Sequence, residues 1–388
     1  MAGLVKLFQS SDPGFSNVAN TPGSLISNVL DPCLINGANL TNVTSITRAG
    51  SVATAHFSAG HTFVGGVKGN VVLIAGANEV EYNGEFIITN VTANTFDYTI
   101  TGTPASPATG TLTAKRAPAG WSKLSGTNLA AYRSQGVGAT GCYAYFDDTG
   151  TTEAVFVGNE SMADISTPSG RFPTTVQISS LFVPKSNNAT SKPWLLIADD
   201  RGFALFVAAH SSYPSVYYPI LFQDFASDKA GDGYGCLIVG ETSNQWATNY
   251  PGVYDGWVSL QGSLTATAVG HYLARKWDQV GGAVPFGKFG DYSISGYMGA
   301  TSGIPYPSPV NGGLYVSDIA IGETASGGVI RGRMRGIYQP LHGPQHLGHG
   351  NTQTDTVGPL AGHTLLAVAT PYSGGTPGET LVDLTSWT

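Results

Sequence analysis

The chain has 388 residues, room for two or three ordinary domains around a sizeable core. Only 11% of residues are charged, against about 25% in a typical soluble domain, while 41% are hydrophobic and 10% aromatic, too many for a disordered or collagen-like chain. Lys+Arg 18 against Asp+Glu 25 gives a net charge of −7, which argues against electrostatic attachment to nucleic acid or to an anionic membrane.

The opening MAGLVKLFQSSDPG carries no long apolar stretch and does not read as a secretory signal. No run of about 18 apolar residues suggests a membrane-spanning helix. Cys33, Cys142 and Cys236 are odd in number and widely spaced, so they encode neither a disulfide framework nor a zinc knuckle. That usage fits folding in a reducing cytoplasm. Cys142, in an alternating aromatic stretch, reads as a core residue rather than a nucleophile.

The first predicted element is a helix over Ser24 to Asn36 (SLISNVLDPCLIN), whose apolar residues fall near helical spacing. Ser24 is its expected cap, Pro32 its expected kink or early end, and Gly37 its stop. From about Asn42 to Lys115 short alternating strands rich in Val, Ile, Thr, Phe and Tyr recur between Asn, Gly and Asp turns. The Asn83-Gly84 pair predicts a type I′ hairpin turn. Beyond Pro118 apolar runs recur at WLLIADD, FALFVAAH, YGCLIVG and GGLYVSDIAIG, separated by Gly-, Ser- and Pro-rich turns. HYLARKWDQV (His271 to Val280) is the only further helical candidate. The expected fold is all-β: a large β-sandwich-like body at 117–388, a small inserted Ig-like β-sandwich at 43–116, and one or two short helices. Residues 1–42 are expected to pack on the body.

Few residues suggest chemistry. Four of the eight histidines, His342, His346, His349 and His363, crowd into 22 residues, with Asp355 close by. Glycines and a proline between them make a loop the expected host. A polar loop whose histidines bond to backbone or to a neighbouring subunit is preferred to a metal site. Carboxylates come as neighbours in Asp147-Asp148, Asp199-Asp200 and the Asp224, Asp228, Asp232 run, as paired acid–base work would need, but in turn-rich segments Asp is usually a turn or cap residue. G-x-S-x-G, H-E-x-x-H and Walker A patterns are absent, and no catalytic residue or cofactor is expected. Arg331, Arg333 and Arg335 alternate in IRGRMRGIY, which places three cations on one face of a strand. They are candidates either for contact with a partner subunit or for a solvated edge that blocks unwanted pairing. Trp246, Tyr250, Tyr254 and Trp257, with Ser211 to Gln223, are candidates for stacking on carbohydrate, set against the preferred reading that they fill a core.

The block beginning TSITRAGSVATAHFSAGHTF resembles the small immunoglobulin-like modules of structural proteins in tailed bacteriophages. The phrases that carry it are VVLIAGANEVEYNGEF, TNVTANTFDYTI and TPASPATGT; HTFVGGVKG stands where a shorter Gly turn is usual. The opening LVKLFQSSDPG and the closing RGRMRGIYQPLHG also look like uncharacterised virion proteins of such phages. The resemblance covers about a fifth of the chain and brings no catalytic residues. It implies a virion protein, made in bacterial cytoplasm, that assembles with copies of itself and other phage structural proteins in the tail or adsorption apparatus. The alternatives are capsid decoration at the head, or a tail protein that binds or cleaves host surface polysaccharide. A depolymerase would usually carry a long repetitive β-helix pattern, and none is visible.

Overall fold

The longest apolar runs lose the alternation of a half-buried strand because they are buried on both faces. In the computed structural model, which describes residues 3–65, 69–242, 270–289, 305–323, 329–342, 347–370 and 378–387, they form the middle of a thirteen-stranded sheet. Its path begins at Lys6–Gln9 and continues through Trp194–Ala198, Gly202–Val207, Tyr218–Asp224, Cys236–Val239, His271–Leu273, Val284–Phe289, Val316–Glu323 and Val329–Pro340. Gly378–Asp383, Thr364–Thr370 and Thr352–Thr354 complete it, and the short strand Ala226–Ser227 pairs with Val329–Pro340. Neighbouring strands are antiparallel. The expected all-β, sandwich-like fold is what the chain adopts.

Alternate residues of these strands enter two different cores. Trp194, Leu196 and Ala198 join Phe203, Leu205, Ile220 and Phe222 on one face. Leu195 and Ile197 join Phe206, Leu221 and Val239 on the other. The first core is closed by a six-stranded sheet built on Glu153–Met162, which contributes Tyr132, Phe146, Phe156 and Phe172. The second is closed by the later strands of the main sheet itself, through Ile321, Met334, Leu366 and Val382. Each fully buried Leu, Ile or Phe contributes about 1.5–3 kcal/mol.

The N-terminal helix forms, but not as expected. It consists of two widened, π-type segments, Ile26–Leu30 and Pro32–Asn36. Pro32 does not end it, because the Asp31 amide reaches Ile26 O, five residues back, and the wider turn accommodates a residue without an N–H. Ser24 is not the cap: its hydroxyl donates to Ala19 O. The cap is Asp148, whose Oδ2 accepts from the Leu25 and Ile26 amides at 2.7 and 3.1 Å. Gly37, at φ +69°, does end the helix, and a Cβ there would stand 2.2 Å from Arg116 O.

Between helix and body lies a two-sheet sandwich with its own core. Strands Ala38–Asn42, Gly110–Arg116, Val71–Ala77 and Gly84–Ile87 form one sheet, and Ser45–Ala49, Val52–His56 and Thr95–Thr99 the other. Ile46, Val72, Ile74, Phe96 and Tyr98 fill the space between them. The sandwich thus begins at Ala38, a few residues before 43, because Ala38 pairs with Arg116 in its last strand. Asn83-Gly84 makes no type I′ turn. A short helical turn, Val80–Tyr82, precedes it, and the Asn83 amide side chain bonds to both Ala77 N and Ala77 O, closing the loop. The expected helix at His271 to Val280 is likewise replaced by the strand His271–Leu273 and a following turn.

Candidate functional site

Strand pairing sets Asn159 of Glu153–Met162 against Arg171 of Pro168–Phe172, so Glu160, the next residue, lies over Gly170, one step along the ladder from Arg171. Beside them the turn after His271–Leu273 carries Arg275, Gly281, Gly282 and Ala283. Together with Thr174 and Thr175 these residues line a cleft of about 310 Å³. Gly170 lies beneath the Glu160 carboxyl group, and a Cβ there would stand 2.5 Å from it. The two walls are tied together by Gln177, whose Nε2 donates to Ala283 O at 2.7 Å while its Oε1 accepts from Thr174 N at 2.9 Å.

The charges in this cleft are unequal. Arg275 grips Glu160 with both arms, at 2.5 Å (Nε to Oε1) and 2.6 Å (Nη2 to Oε2), and its guanidinium lies 4.0 Å from the Tyr234 ring centroid. The bonds to Glu160 push Arg275 up from its ordinary pKa. Arg171 donates Nη2 to Ser179 O at 2.5 Å, but its Nη1 is buried with no hydrogen-bond partner. Burial lowers its pKa somewhat. One guanidinium nitrogen of a cleft-lining residue is therefore left without an acceptor. The cleft's one carboxylate is locked to Arg275, which gives the cleft the means to bind but no obvious general base.

The arginine stripe does not form a solvated edge or a cationic contact surface. Its strand lies inside the sheet between Val316–Glu323 and Gly378–Asp383. Arg331 is 2% exposed and pairs with Asp232 (Nη2 to Oδ1 2.7 Å, Nε to Oδ2 2.9 Å) and with Glu323 at 2.9 Å. Burial raises the Asp232 carboxyl, but the Arg331 and Ser227 bonds outweigh it and hold the group below its usual range. Arg335, equally buried, is clamped by Asp199 and by the Trp387 and Asp224 carbonyls. Only Arg333 is exposed, 3.8 Å from Asp318. Irregular register along this strand turns the three side chains to different surroundings.

Three further carboxylates are engaged, whereas Asp200 Oδ1 is buried without a hydrogen-bond partner. Asp148 pairs with Lys185 at 2.5 Å, with both side chains fully buried, and burial raises its pKa against the pull of Lys185. Asp224 accepts from the Thr140 amide and hydroxyl at 2.9 and 2.6 Å. Asp147 accepts from Thr149 in a local turn. Of the histidines, His342 Nε2 accepts from Tyr315 N at 2.7 Å, and His349 stacks on Tyr217 with ring centroids 4.2 Å apart. His363 meets Asp383 at 2.5 Å. Among the described residues no three His, Cys, Asp or Glu side chains converge as metal ligands. His346 and the aromatic candidates Trp246, Tyr250, Tyr254 and Trp257 lie outside the described residues. Tyr218 of the adjoining aromatic stretch is core, and all three cysteines are free and buried.

The cleft residues Glu160, Arg171 and Arg275 were not singled out from sequence. Their one signal is that few cations exist in a chain with 18 Lys+Arg, so each one outside an obvious ion pair stands out. No protein-family model matches this sequence, and no curated protein matches it significantly.

Proposed function

We propose that this chain is a non-enzymatic structural component of a tailed-phage virion, part of the tail or adsorption apparatus, that works by assembling with its own copies and with neighbouring subunits. The reading rests on the self-contained sandwich at Ala38 to Arg116, the segment whose sequence resembles phage immunoglobulin-like modules. It sits against the body through few but specific contacts. Lys6 Nζ meets Glu85 at 2.8 Å, and the Leu7 amide donates to Gly69 O at 2.9 Å. The buried ion pairs agree with this role, since they take charge away from the surface of a chain already poor in it. A protein that assembles through backbone edges and apolar patches needs little surface charge.

Immunogold labelling of purified particles of the encoding phage tests the proposal. Gold at the distal tail is the expected result. Gold over the head or neck would replace the tail assignment with capsid decoration. Absence of the chain from particles by mass spectrometry would overturn the virion reading.

A further inference from the structure

We propose that the cleft between residues 170–175 and 275–283 binds the carboxylate of a sugar acid, a uronate unit of an acidic glycan. The buried, unpartnered Nη1 of Arg171 carries the inference. A buried guanidinium N–H without an acceptor is costly, and a carboxylate is the planar acceptor that a guanidinium fork fits best. Glu160 and Arg275 neutralise each other, so Arg171 leaves the cleft with about one positive charge. A monoanion matches that charge, whereas a phosphate dianion would bring one negative charge more than Arg171 compensates.

Size and lining favour a sugar ring as the carrier. A volume of about 310 Å³ lies at the small end of ligand sites. Thr174 and Thr175 supply hydroxyls that can donate and accept, as sugar hydroxyls require. Gly281 and Gly282 leave space for close approach, and a Cβ at Gly282 would sit 3.7 Å from Thr174 Cγ2, across the cleft. The inference does not depend on the chain being part of a virion.

Titration of the full chain with sodium glucuronate, glucose and sodium acetate, followed by calorimetry and NMR, tests it. Glucuronate is expected to bind saturably with a Kd near the millimolar range, glucose not detectably, and acetate at least tenfold more weakly than glucuronate. Arg171→Gln removes the charge, and Gly282→Leu fills the cleft at a position with ordinary backbone geometry. Each is expected to weaken glucuronate binding at least tenfold. Because Gly282→Leu leaves the Arg171 bond to Ser179 in place, it reports on the cleft even if Arg171→Gln disturbs the loop. Absence of saturable binding, or equal binding by wild type and Gly282→Leu, would overturn the site. Acetate binding as tightly as glucuronate would overturn the sugar assignment. None of these outcomes bears on where the protein sits in a particle, which labelling reads separately.

Discussion

Lys185 shows how this low-charge chain uses the charges it has. Its ammonium donates to Asp148 Oδ1 at 2.5 Å, to Thr21 O at 2.7 Å and to Gly150 O at 2.8 Å, so all three N–H groups are satisfied inside the protein. The same carboxylate caps the N-terminal helix, so one ion pair joins residues 21–26, 148–150 and 185. Removing one partner leaves the other charge buried and alone. Lys185→Met is therefore expected to cost about 3–5 kcal/mol, measured by denaturant unfolding. Lys185→Met combined with Asp148→Asn should cost less than the sum of the two single changes. A loss below about 1 kcal/mol for Lys185→Met would mean that the pair is not buried as described.

At the level of elements, the C-terminal strands carry a pH-sensitive join. Glu379 on Gly378–Asp383 is buried, and burial pushes its carboxyl up to about 7 against hydrogen bonds from the Leu347 and Gly348 amides. A folded-state pKa above the unfolded value of about 4.3 means that the folded protein holds this proton more tightly. Its contribution is fully present below the unfolded pKa and is lost as pH rises through about 7. The melting temperature should fall by a few degrees between pH 5 and pH 8 through this group. Glu379→Gln is expected to flatten that part of the profile, while an unchanged slope in the variant would assign the pH dependence elsewhere. His349, close by on the 347–351 loop, has its pKa lowered by burial.

For the whole molecule the separate cores make a stronger statement than any single bond. The sandwich at Ala38 to Arg116 shares no cluster with the body, and its first and last strands are paired, so its ends emerge side by side. Replacing 39–115 by a short glycine linker is expected to leave a soluble body with one cooperative thermal transition. Its stability should be slightly reduced because Lys6 loses Glu85 and keeps only the Pro118 carbonyl. Lys6→Met in that background should recover part of the loss. An insoluble product would show that the sandwich is needed to fold the body.

Much of this architecture was legible along the chain. The runs WLLIA, FALFV and CLIV stand where strands buried on both faces stand, and alternation marked the strands of the small sandwich. Gly37 ends the helix as expected, since a glycine at a positive φ is a local requirement written in one residue. Periodicity and turn chemistry are short-range signals, and the sequence by itself determined what depends on them: an all-β fold, a small sandwich with its own core and one N-terminal helix. The tertiary structure alone decided which charges meet. The helix cap comes from Asp148, 123 residues beyond Leu25, and Arg335 is clamped by Asp199, 136 residues before it. A bulged register separates three arginines that ideal alternation would align, and the cleft joins 160, 171 and 275 through strand pairing and a distant turn. Those partnerships depend on long-range register and on burial on a second face, which no window of neighbouring residues contains.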